Sequence, residues 1–154
     1  MYAALIELDI CAADVQNAYV QTPTSEKHYV ICGPEFREHI GKKALIKRAL
    51  YGGKCAGQDH WLYLRSCMDF LGFKPYKADP DVWMRASKRT VNTDYWKYVL
   101  LYVDDCRCIS TNPGKIIRDE IWKYFLMKEA SIGEPDIYLD GKVRKVELDI
   151  GIMR

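Results

Sequence analysis

The sequence predicts an α+β domain in which helices cover one face of an antiparallel sheet, and three observations carry that expectation. Two stretches repeat apolar residues at helical spacing: Trp61, Leu64, Met68 and Leu71, then Ile117, Ile121, Trp122 and Phe125. Between them, residues 98–103 (YVLLYV) form a continuous apolar run, the mark of a strand buried on both faces. Two turn signals suit hairpins: the polar tip at residues 92–94, and Asp140 followed by Gly141.

The elements follow in chain order. Residues 5–20 mix apolar side chains with acids and should contain a strand that ends near Asp14. Residues 21–27 are polar around Pro23, a loop. Residues 28–32 are short and β-rich, and Gly33 with Pro34 ends them. Residues 41–50 carry basic side chains on a short apolar pattern before Gly52 and Gly53 break the chain. The first helix starts near Gln58 and stops at Gly72. Residues 79–85 read as a turn into a short strand, and residues 106–110 should return antiparallel to the apolar run. Asn112, Pro113 and Gly114 lead into a second helix over 115–128, and residues 137–150 alternate as a final hairpin.

Composition narrows the function classes. With 154 residues, 49% hydrophobic and 29% charged, the chain has the size of one domain with a packed core and a hydrated surface. No stretch approaches the ~18–20 apolar residues that span a bilayer, so no membrane partner is expected. The first residues, with Glu7 and Asp9 and no basic start, do not read as a secretory leader. The six cysteines include Cys106 and Cys108, separated by one residue rather than the two to four of a zinc knuckle, and several lie among apolar neighbours. A reducing, intracellular setting is expected. The net charge of +2 is small, but Arg37, Lys42, Lys43, Lys47, Arg48 and Lys54 face only Glu38 in their stretch. Such a cluster attracts phosphate backbones, and it equally suits a solvated surface.

The residues that carry chemistry are Asp104 and Asp105, directly after the apolar run. Adjacent strand residues point to opposite faces, so a regular strand would send one carboxylate into the core. At a hairpin tip both can project to one side. Two carboxylates held together repel each other unless a cation sits between them, and a hard divalent ion with oxygen ligands is the natural partner. An ordinary Asp-bearing turn is the plainer reading. Asp14, at the end of another strand, supplies a third acid for a two-metal site of the kind that serves phosphoryl and nucleotidyl transfer. Asp9 competes with it. Tyr19 lies five residues after Asp14, either beside a bound nucleotide or in the core.

These blocks together resemble the reverse transcriptase of copia-type LTR retrotransposons. Residues 14–36 resemble its first catalytic block, residues 50–61 (LYGGKCAGQDHW) the block written LYGLKQAPRxW, and residues 79–83 (DPDVW) its Asp-Pro element. Residues 99–105 (VLLYVDD) resemble the metal-binding block, and residues 124–139 the segment that follows it. The five blocks stand in the family's order and cover the chain from Asp14 to about Ile150. Gly53, Cys55, Gly57 and Gln58 depart from the second block, and Arg107 stands where the family has an apolar residue. That charge implies either a strand edge that is exposed or bound to nucleic acid, or a copy of the family's sequence that is decaying.

The resemblance implies a polymerase palm lacking most of the fingers, with RNA-directed DNA synthesis as its activity. Asp14, Asp104 and Asp105 map onto the catalytic, metal-binding carboxylates. Two Mg²⁺ ions, with Mn²⁺ as a substitute, would be held chiefly by Asp14 and Asp104 with help from the Val15 carbonyl. Tyr19 maps onto the steric gate that selects deoxynucleotides, and Gly52 and Lys54 onto the block against the nascent base pair. The implied partners are an RNA template, a DNA primer, a dNTP and the rest of a retrotransposon polyprotein, its fingers and RNase H included. The implied setting is the cytoplasm, within virus-like particles, or the nucleus. Two alternatives stay open: a catalytically inactive truncated relic or nucleic-acid-binding module on the same fold, binding through Lys42, Lys43, Lys47 and Arg48, and another palm-type nucleotide enzyme such as a cyclase.

Overall fold

In a computed structural model, residues 3, 7–89, 92–138 and 141–143 are described. Their centre is a five-stranded, wholly antiparallel sheet in the order β1-β7-β6-β5-β4. The strands are β1 (Asp9–Asp14), β4 (Lys74–Pro75), β5 (Val82–Lys88), β6 (Asp94–Tyr102) and β7 (Asp105–Ser110). Helix α1 (Ala18–Gln21) follows β1, α2 (Ala56–Phe70) precedes β4, and α3 (Pro113–Asp119) follows β7. A separate two-stranded sheet pairs β2 (Tyr29–Ile31) with β3 (Lys43–Leu45). A third pairs β8 (Ile137–Tyr138) with β9 (Gly141–Lys142). The expected α+β architecture is thus present, with a first strand ending at Asp14 and a return strand that starts at the second acid, Asp105, one residue earlier than expected.

Strand periodicity sorts the sheet's side chains. One cross-strand row runs Cys11, Cys108, Val99 and Trp83; the next runs Ala13, Cys106 and Leu101. All are buried, and they pack with Leu64, Cys67 and Met68 of α2, Ile116 and Ile117 of α3, and Ile121 and Phe125 beyond it. This is the main core, on the face the helices cover. The thiols behave there as small apolar groups: burial pushes Cys106 up to about 12. The opposite face carries Ala12, Arg107 and Leu100 in one row and Asp14, Asp105 and Tyr102 in another.

Three sequence expectations shift. The run over 98–103 is not buried on both faces: Val99 and Leu101 are buried, Tyr98 and Leu100 are intermediate, and Tyr102 is exposed. Helices cover only one side of it. On α2 the buried stripe is Asp59, His60, Leu64, Cys67 and Met68, whereas Trp61 is exposed with Arg65 over its ring. The second helix is shorter than 115–128. It is capped by Asn112, whose Oδ1 accepts from the Lys115 N–H, and stops at Asp119. The next residue, Glu120, turns its carboxylate to Arg85 in a bidentate pair at 2.7 and 2.9 Å, and a short 3₁₀ turn over Ile121–Lys123 follows.

Gly72 does end α2, at φ +78°, a value that favours glycine. The β5–β6 hairpin forms as expected, with Asn92 at φ +60° at its tip. Of the last expected hairpin, the β8–β9 pairs Ile137–Lys142 and Tyr138–Gly141 are present; Asp140 and residues 144–150 lie outside the described residues. No described helix is long and apolar enough to cross a membrane.

Candidate active site

The two expected acidic elements meet. Asp14, the last residue of β1, is the cross-strand partner of Asp105, the first residue of β7. Directly opposed antiparallel residues share a face, and this face is the one away from the helices. Asp9 has the other parity on β1 and pairs with Ser110 at its far end, so the strand separates the two candidate acids of the first block. Asp104 sits one residue before Asp105, exposed in the two-residue turn that joins β6 to β7.

That turn is strained and pinned. Val103 has φ +53°, an outlier for a β-branched residue, worth about 1–3 kcal/mol of strain. Two carbonyls hold it in place. The Val103 oxygen accepts from His60 Nε2 at 3.0 Å, and the Asp104 oxygen accepts from the Val15 N–H at 2.7 Å. Val15 is buried and thereby ties the end of β1 to the acid-bearing turn.

His60, which holds this turn, is the residue that sequence reasoning missed. It is 3% exposed, and its Nδ1 lies 3.0 Å from Thr22 Oγ1. Burial lowers its pKa, against the upward pull of the Val103 bond and Asp104. The neutral ring then donates from Nε2 to Val103 and accepts at Nδ1 from the Thr22 hydroxyl. It also meets Tyr19 edge-on at 5.5 Å. Tyr19, on α1, is half-buried and stacks edge-on with Tyr51 at 4.8 Å. The expected nucleotide-side aromatic and the acid-bearing turn therefore share one buried imidazole.

Each strand acid has an internal cation. Lys128 Nζ lies 2.5 Å from Asp14 Oδ2, and the Lys128 pKa is raised, first by that bond and then by the charges of Asp14 and Asp104 and by Tyr51. Arg107 Nη2 lies 3.2 Å from Asp105 Oδ1 and donates to the Ile137 carbonyl at 2.6 Å, while Nη1 donates to Cys106 O at 3.0 Å. Arg107 is 9% exposed on a strand flanked by β1 and β6. The expectation of an exposed or nucleic-acid-bound edge is thus corrected: the charge is buried and paired within the chain.

A cavity of about 340 Å³ opens on this face, lined by Asp14, Asp105, Arg107, Glu134 and Asp136 among others. Glu134 and Asp136 arrive there because Gly133 exchanges backbone hydrogen bonds with Ala12 of β1, at 2.7 and 3.1 Å, a pairing no local signal announces. The donor set fits a hard cation: carboxylate oxygens, one of which, Asp14 Oδ1, is buried without a hydrogen-bond partner, beside an ammonium already drawn in. Among the described residues no three acidic, His or Cys side chains gather as one metal-binding group.

The remaining candidates do not line that cavity. Gly52, at φ +84°, and the exposed Lys54 form the turn leading into α2. Lys42 just before β3, Lys43 on it, and Lys47 and Arg48 after it are all exposed. Arg48 Nη1 donates to the Gln21 carbonyl at 2.8 Å, which fastens this basic stretch to the end of α1. A second cavity, about 280 Å³, lies beside it, lined by Tyr29, Arg48, Tyr51 and Gly53 among others. No protein-family model matches the chain, and no curated protein or solved structure compared with it matches either.

Proposed function

We propose that this chain is a reverse-transcriptase-type domain that transfers nucleotides from a dNTP to a primer 3′-hydroxyl on an RNA template. One observation carries the reading: Asp14 and Asp105 are cross-strand partners on the uncovered face of the sheet, with Asp104 in the strained turn beside them. Carboxylates so placed cost little in metal-free water and become useful when a polyphosphate and its cations arrive. The resemblance in five blocks supplies the reaction; the geometry supports it by bringing the first and fourth blocks together.

In this reading Asp14, Asp104 and Asp105, with the Val15 carbonyl, hold Mg²⁺ or Mn²⁺. When bound, such ions lower the pKa of the primer hydroxyl and neutralise the triphosphate. The protein's own part is positional. The Val15–Asp104 and His60–Val103 bonds set the height of the acid-bearing turn. Tyr19, braced by Tyr51 and His60, presents its ring edge as the limit on the sugar. Lys54 and the basic stretch Lys42, Lys43, Lys47 and Arg48 offer positive charge to the phosphate backbone.

The test is Mg²⁺- or Mn²⁺-dependent primer extension on an RNA template, beside Asp104→Asn. Extension that disappears in the variant is the expected result; no extension from the folded wild-type chain would remove the activity. A second reading is favoured by the basic stretch, which is exposed on its own small sheet rather than at the acids. It makes the chain a non-catalytic nucleic-acid-binding module. Binding would then weaken steeply with salt and with Lys43→Ala or Lys47→Ala, and ignore Asp14, Asp104 and Asp105.

A further inference from the structure

The Lys128 ammonium lies against Asp14 Oδ2, an oxygen that a cation bound at this carboxylate would use. Its backbone is fixed there: the Lys128 N–H donates to the Asp14 carbonyl at 2.8 Å, and the neighbouring Gln16 N–H donates to Leu126 O at 2.8 Å. The turn after it is fixed too, because Ser131 Oγ accepts from the Asp14 N–H at 2.8 Å and donates to the Lys128 carbonyl at 2.6 Å. The amine therefore reaches Asp14 Oδ2 from an anchored base. Its stem is free to swing, since the Lys128 side chain is 50% exposed, and that of Asp14 is 31% exposed. The other oxygen of the same carboxylate, Oδ1, is buried and lacks a hydrogen-bond partner, so Asp14 is half satisfied by this contact.

On the nucleotidyl-transfer reading, we infer that Lys128 is a built-in counter-ion of Asp14 that a divalent cation must displace, and that it thereby sets how tightly the site takes metal. The magnitudes decide for displacement over permanent blockage. A half-exposed ion pair is worth only about 0–1 kcal/mol, whereas a divalent ion brings twice the charge and takes several oxygens at once. Lys128 thus acts as a weak competitor. It keeps Asp14 neutralised while the site is empty, and after displacement its flexible stem carries the ammonium toward solvent or toward a bound phosphate.

Mn²⁺ alone, titrated into the full chain and followed by the loss of the free-ion electron paramagnetic resonance signal, tests this without turnover. Lys128→Met should bind Mn²⁺ about two- to five-fold more tightly than wild type, the factor that corresponds to a surface pair of this kind. Lys128→Gln should do the same, and Lys128→Arg, which keeps the cation, should stay close to wild type. The gain should shrink at high salt, as screening weakens the pair it removes. In an Asp14→Asn background Lys128→Met should bring no gain. Unchanged or weaker Mn²⁺ binding in both folded Lys128→Met and Lys128→Gln overturns the inference, as does absence of Mn²⁺ binding in every variant. Tighter binding without any primer extension keeps the counter-ion and removes the polymerase reading; extension with Lys128-independent affinity does the reverse.

Discussion

The two faces of the five-stranded sheet are built from alternate residues of the same strands, yet they obey different rules. On the helix-covered face, Cys11, Ala13, Val99, Leu101, Cys106 and Cys108 are buried and apolar, and nothing there needs a partner. One residue away, on the other face, Asp14, Asp105 and Arg107 are charged, and all three are held in ion pairs. The covered face holds the fold together; the open face carries groups whose mutual charge is tolerated because Lys128 and Arg107 offset it. The comparison teaches that the apolar core and the charged groups are separated here by the pleat of a strand, about 3.3 Å along the chain.

The largest effect that sharpens this division should come from the covered face. Trp83→Ala removes a ring that is 1% exposed and should cost about 3–5 kcal/mol, read as a fall in the urea midpoint. Next comes the edge of the core. Arg85→Ala breaks the bidentate pair with Glu120 and the stacking of the guanidinium 4.2 Å from the centre of the Phe73 ring, and should cost about 1–3 kcal/mol. Glu120→Gln should cost less, because Arg85 keeps the Leu71 carbonyl, 2.6 Å away.

His60 joins the two faces, so its effect should be mixed. His60→Leu should cost about 1–2 kcal/mol by leaving the Thr22 hydroxyl and the Val103 carbonyl without their bonds, and should lower extension more than DNA binding. The pH dependence has a defined sign. The folded pKa lies below the ordinary imidazole value of 6.5, so the unfolded chain binds the proton first. Its contribution is complete above pH 6.5 and is lost as pH falls through the folded pKa. Stability against pH measured between 7 and ~4.5 should therefore fall less in His60→Leu than in wild type. Parallel curves for the two proteins would remove His60 as the cause.

Much of the fold was legible because its signals are local. A strand ending at Asp14, a return strand at the acids and a stop at Gly72 each follow from neighbours in sequence. What stayed hidden depends on distant partners. The helical spacing on α2 points to Trp61, but the buried stripe runs one position earlier, through His60, because Thr22 and Val103 satisfy its polar ring from 38 and 43 residues away. Arg107 looked like an exposed edge for the same reason: its partner carbonyl, Ile137, is 30 residues along the chain. At the candidate site, Asp14 and Asp105 were both singled out by the sequence and are cross-strand partners, whereas Lys128, Glu134 and Asp136 enter only through the pairing of residues 127–133 with β1. Hydropathy cannot register such partners, since each is an unremarkable polar residue in its own stretch.

The smallest expected effect on stability belongs to Asp14, the residue on which the proposed function rests most. Asp14→Asn gives up one half-exposed ion pair and should shift the unfolding free energy by no more than about 1 kcal/mol. The most direct test is therefore Mn²⁺-dependent nucleotide incorporation by Asp14→Asn on an RNA-templated primer, at a temperature where both proteins are fully folded. Loss of incorporation, against clear incorporation by wild type, is the predicted result. Incorporation at the wild-type rate by Asp14→Asn would contradict the assignment of the open face as the site of chemistry.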